Sequence, residues 1–88
     1  MARPVAVTLY VRPGCSLCVE AAAALERINR RVPLVVTTID IESDDELLRR
    51  FMFEIPVVEV DGEVVATAPV REGALEDTLD AILQGVDK

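Results

Sequence analysis

Two kinds of hydrophobic pattern meet early in this 88-residue chain, and the point where one becomes the other constrains the fold most tightly. Val5 to Val11 (VAVTLYV) is an apolar run rich in β-branched and aromatic residues, and Arg12-Pro13-Gly14 ends it with turn chemistry. Beyond Cys15 the apolar positions Leu17, Ala21, Ala24, Leu25, Ile28 and Val32 step by three or four, which places them on one helical stripe. A buried strand therefore passes through a short turn into an amphipathic helix. The alanines from Ala21 to Ala24 favour helix and let it lie close to a sheet, and Pro33 is expected to close it.

The rest of the chain continues in the same manner. Leu34 to Asp40 (LVVTTID) reads as a second strand. Ser43 and Glu46 have capping-box spacing ahead of Leu47, Leu48 and Phe51, which marks a short second helix. Val57 to Val60 and Glu63 to Ala66 flank Asp61-Gly62, a pair suited to a type I′ turn and so to an antiparallel hairpin. From Glu72 onward, Leu75, Leu79, Ile82, Leu83 and Val86 return to the helical period. The order β-α-β-α-β-β-α predicts one α/β domain spanning residues 1–88. Its first β-α-β is parallel and its hairpin antiparallel, giving a mixed four-stranded sheet flanked by helices.

Composition removes several classes of function. A net charge of −7 and only three aromatic residues, Tyr10, Phe51 and Phe53, argue against nucleic acid, which needs clustered cations or stacking platforms. No apolar run approaches the roughly 20 residues that span a bilayer. The first eleven residues carry no small-residue cleavage site and read as a strand, so the expected compartment is the reducing cytoplasm. The absence of histidine excludes Ser-His-Asp and Cys-His nucleophiles within the chain. No phosphate loop or dinucleotide fingerprint is present, so no bound organic cofactor is expected.

Chemistry concentrates in Gly14-Cys15-Ser16-Leu17-Cys18, at the strand-to-helix junction where open α/β sheets place their sites. At a helix start, free N–H groups and the positive dipole end favour a thiolate, so Cys15 is expected to be the nucleophile with a lowered pKa. Cys18, one turn later on the same face, is positioned to resolve a mixed disulfide. Arg12 adds a positive charge nearby, as an element of the substrate site or simply as an exposed arginine. Competing readings of the pair are a structural disulfide, a metal half-site and two inert apolar residues. A disulfide across so short a loop constrains the unfolded chain by only about 2 kcal/mol. A structural zinc site ordinarily takes four nitrogen or sulfur ligands, and this chain has two cysteines and no histidine. The acidic cluster Asp40, Glu42, Asp44, Asp45 and Glu46 reads mainly as helix capping, and Arg49-Arg50 as cations at a helix end.

With these residues in place, the chain resembles glutaredoxin-like proteins of the thioredoxin fold, most of all small bacterial ones with a C-x-L-C centre. The resemblance spans nearly the whole chain. It rests on Leu9-Tyr10, Arg12-Pro13-Gly14-Cys15-Ser16-Leu17-Cys18, Asp40-Ile41, Ile55-Pro56-Val57-Val58 and Asp61-Gly62. It implies a thiol-disulfide oxidoreductase in which Pro56 is cis and faces the cysteines. Backbone before that proline would be free to pair with substrate, so Ile55 and Pro56 join the site. Implied partners are a disulfide-containing protein or small molecule and an external reductant, either glutathione or thioredoxin reductase, acting on a monomer. The chain departs from glutathione-using members at its Ser-Leu centre and at Glu54-Ile55-Pro56 in place of Thr-Val-Pro. A glycine pair is also missing between Val65 and Gly73. Glu54 would oppose the anionic tripeptide. Two further readings remain open: an iron-sulfur or metal module shared between two chains, with glutathione supplying further ligands, and a redox-sensing adaptor.

Overall fold

Pairing of the first strand with both the second and the third organises the molecule. In the computed structural model, which describes residues 3–85, β1 (Val5–Val11) is followed by α1 (Ser16–Ile28), β2 (Leu34–Asp40), α2 (Asp45–Phe51), β3 (Val57–Val60), β4 (Glu63–Ala66) and α3 (Glu72–Leu83). The sheet order is β2-β1-β3-β4, with β1 parallel to β2 and antiparallel to β3, and β3 antiparallel to β4. This is the mixed four-stranded α/β sheet expected from the sequence. At the β3–β4 hairpin Asp61 (φ 52°) and Gly62 (φ 80°) both occupy the left-handed region, as a type I′ turn demands. Val86 lies outside the described residues. No helix among the described residues is long and apolar enough to cross a membrane.

The period of two along β1 divides the interior between the sheet's faces. Val5, Val7 and Leu9 point to one face, where they meet Ala21, Leu25 and Ile28 of α1 and Leu75 and Leu79 of α3. Tyr10 points to the other and packs with Ile41, Phe51 and Val57 beneath α2. Its ring lies 4.7 Å from that of Phe51, and its hydroxyl donates to Glu59 Oε1 at 2.9 Å. Burial, then the bond to the Glu59 carboxylate, push the Tyr10 phenol above its ordinary pKa of 10.0.

Three local expectations are corrected. Helix α1 ends at Ile28 rather than running to Pro33. A residue before proline is driven out of helical backbone, and Asn29 closes the segment by accepting the Leu34 N–H at 2.7 Å. Val32 still reaches the core, carried there by a turn whose N–H bonds to Ile28 O. Leu17 is 46% exposed, because the buried stripe runs through Cys18, Ala21, Ala24, Leu25 and Ile28, one residue out of phase with it. The cap of α2 is Asp44 rather than Ser43: its carboxylate accepts the N–H groups of Glu46 and Leu47. Ser43 is consumed by a 3-10 turn over Ile41–Ser43, where its hydroxyl donates to Asp40 O at 2.6 Å. A carboxylate is the stronger cap because it also meets the helix dipole.

Candidate functional site

Strand β1 delivers the chain to the edge of the sheet, and Gly14 turns it into α1. Its φ of +76° belongs to the left-handed region that a side chain would disfavour. Cys15 follows as the helix N-cap in extended conformation, and its Sγ accepts the Cys18 N–H at 3.1 Å. The sulfur thus occupies the position an oxygen takes in ordinary caps, with a backbone donor already aimed at it. Cys15 and Cys18 are joined as a disulfide, their Cα atoms 5.2 Å apart. Cys15 is half-buried and Cys18 is 4% exposed, so a reagent from solvent meets Cys15 first.

Beside the disulfide opens a shallow cavity of about 520 Å³, lined by Val11, Arg12, Cys15, Val19, Ala22 and Thr38 among others. The structure therefore brings Arg12 to the sulfurs' surroundings, yet its guanidinium is engaged elsewhere: Nε donates to Glu42 Oε2 at 2.8 Å. That pairing follows from register, since Val11 lies opposite Asp40 and the 3-10 turn begins at the next residue. The acidic cluster is accounted for in the same way. Asp40 accepts the Glu42 N–H, Asp44 caps α2, and no group of three or more His, Cys, Asp or Glu among the described residues is placed to hold a metal ion.

The Ile55–Pro56 bond is cis and Pro56 is buried. Tyr10 pairs with Val57, so Pro56 comes at the same edge of the sheet at which β1 passes into the cysteine turn. Ile55 is half-buried and its N–H donates to Phe51 O at 3.2 Å. The expectation of free backbone before the proline is corrected for that group: it is taken by the end of α2. Sequence reasoning also missed a second cis bond, Ala68–Pro69, and the 3.2 Å bond from Ala68 N–H to Glu54 O that ties the segment after β4 to the loop before Pro56. The cavity-lining Val19 and Thr38 were missed as well. Val19 is 70% exposed and off the apolar stripe of α1, the one signal that could have singled it out.

Comparison with known proteins agrees with this geometry. Protein Ne2328 from Nitrosomonas europaea superposes with a TM-score of 0.78 at 20% identity, over 89% of this chain and 94% of its own. Protein XcR50 from X. campestris gives 0.74 at 28% identity, over 85% and 96%. A mutant thioredoxin from Halobacterium salinarum gives 0.68 at 21%, over 92% and 76%, which places the fold as thioredoxin-like. No curated protein matches. Residues 6–80 match the model of the Glutaredoxin-like domain (DUF836), and with its C-x-x-C pair at the head of α1 the chain belongs to that glutaredoxin-like family.

Proposed function

We propose that this protein is a thiol-disulfide oxidoreductase that reduces disulfides through Cys15 and Cys18. The observation that carries the reading is the asymmetry of the pair: an accessible sulfur at a helix N-cap, bonded to a buried partner one turn inside. In the reduced protein the Cys18 N–H and the helix dipole favour the Cys15 thiolate. It attacks one sulfur of a substrate disulfide, forming a mixed disulfide and releasing the other substrate sulfur as a thiolate that takes up a proton. The Cys18 thiolate then attacks Cys15 Sγ, expels the second substrate thiol and closes the Cys15–Cys18 bond. Two electrons and two protons pass to the substrate. An external thiol donor, glutathione or the thioredoxin reductase system, returns the protein to the dithiol, so the cycle needs no resident cofactor. Ile55 and Pro56 at the same sheet edge, with Arg12, complete the proposed substrate site in a cytoplasmic monomer.

Disulfide reduction assayed in parallel with glutathione plus its reductase and with thioredoxin reductase tests activity and donor together. Turnover with either donor is the expected result, and none with both would remove the enzymatic reading. Cys18→Ser is expected to accumulate a mixed disulfide at Cys15, visible as an added substrate mass. Accumulation in Cys15→Ser instead would reverse the assigned roles.

A further inference from the structure

The cavity at the disulfide does not stop there. A second cavity of about 330 Å³ shares Ala22 and Thr38 with it and continues past Val36, Leu25 and Glu26 to Asn29. Together they form one groove running from Cys15 along the flank between α1 and β2. Its floor is apolar where it meets the sulfurs, with Val11, Val19 and Ala22 among the lining residues. Val36 and Thr38 alternate onto this same side of β2, and both line the groove.

Two features say what would lie in it. First, β2 is the outermost strand, bonded among the described residues only to β1, and its middle residues Val35 to Thr38 are exposed. It runs for seven residues with neither proline nor a basic residue, the devices that blunt an edge. The other edge, β4, is only four residues long. An open strand edge beside an apolar groove offers main-chain hydrogen bonds that an extended polypeptide satisfies and a small disulfide does not. Second, the charge is one-sided. Glu26 lines the far part, and the only lining cation among the described residues, Arg12, is bonded to Glu42.

We propose that the α1–β2 groove receives the substrate as an extended polypeptide lying alongside β2, with apolar residues next to its disulfide and basic residues facing Glu26. This rests on the oxidoreductase reading and names its substrate class. The chemistry is unchanged: the polypeptide disulfide gains two electrons and two protons, and the protein ends as the Cys15–Cys18 disulfide.

The test is single-turnover oxidation of the chemically reduced protein, which needs no second enzyme. Four oxidants are compared: bis(2-hydroxyethyl) disulfide and three peptides of equal length closed by an internal disulfide. The peptides carry valines with lysines, valines with glutamates, or serines with lysines. The valine-lysine peptide is expected to react about tenfold faster than the serine-lysine one, the scale of filling an apolar site. It should lead the valine-glutamate peptide by a few-fold, a margin that shrinks with added salt. In Val36→Asn, distant from the sulfurs, the ratio of valine-lysine peptide rate to hydroxyethyl disulfide rate should fall about tenfold. If hydroxyethyl disulfide oxidises the protein but the peptides react alike, or the glutamate peptide leads, the groove proposal is overturned and the oxidoreductase reading stands. If none of the four oxidises the protein, both fall.

Discussion

The two ends of α1 are built for opposite purposes from the same helical rule. At its start the helix exposes Leu17 and Val19, leaves a cavity open beside Cys15, and is capped by a sulfur that forms and breaks covalent bonds in the proposed cycle. At its end, Ile28 is fully buried, and Arg27, with Arg31 in the turn that follows, reaches across to α3, where they meet Glu72 and Glu76 at 2.7 and 2.6 Å. Reactivity requires access, and stability requires its absence, so the helix separates them by about four turns' worth of residues. Changes at the start should therefore alter chemistry with little cost in stability, and changes at the end the reverse.

The largest expected effect is at the start. Cys15→Ser should reduce disulfide reduction to the uncatalysed background, while urea unfolding of the reduced proteins stays nearly the same, since a half-buried cap is exchanged for a hydroxyl that caps as well. A large loss of stability in this variant would mean that the sulfur has a structural duty as well. Next comes Ile28→Ala at the far end. Ile28 has no exposure, and the cavity left behind should cost about 3 kcal/mol in urea unfolding. The rate per folded molecule should be unaffected, and a matching loss of rate would show the two ends to be coupled.

The legibility of the sequence divides along the same line. Strand bounds were readable because β-branched runs ended by turn residues have few alternatives, and Asp61-Gly62 announces its turn through residues that tolerate positive φ. The C-x-x-C pair was readable because spacing and helix start suffice to set its asymmetry. What the sequence concealed depends on residues distant along the chain. The bond between Arg12 and Glu42 spans thirty positions and follows only from the β1–β2 register. The contest between Ser43 and Asp44 for the α2 cap was decided by the 3-10 turn that claimed Ser43 first. The groove has no motif at all, since Val19, Ala22, Val36 and Thr38 become neighbours only once α1 lies beside β2.

The smallest expected effect concerns the ion pairs that pin the end of α1. The bonds from Arg27 and Arg31 hold the Glu72 and Glu76 carboxyls below glutamate's ordinary value of 4.5. A carboxyl whose folded pKa is depressed adds stability that is present above its unfolded pKa and is lost as pH falls through the folded value. Both pairs are open to solvent, so their contribution is modest and screened by salt. The double variant Glu72→Gln/Glu76→Gln should therefore unfold slightly earlier than the parent in urea at neutral pH and low salt. The gap should close as the pH falls below the ordinary glutamate range, because both proteins are then neutral at these positions. Disulfide reduction should not change, since neither residue touches the cysteine end. A gap of constant size across this range would assign the stabilisation to packing of the α1–α3 contact rather than to charge, and the far end of the helix would then rest on the Ile28 core alone.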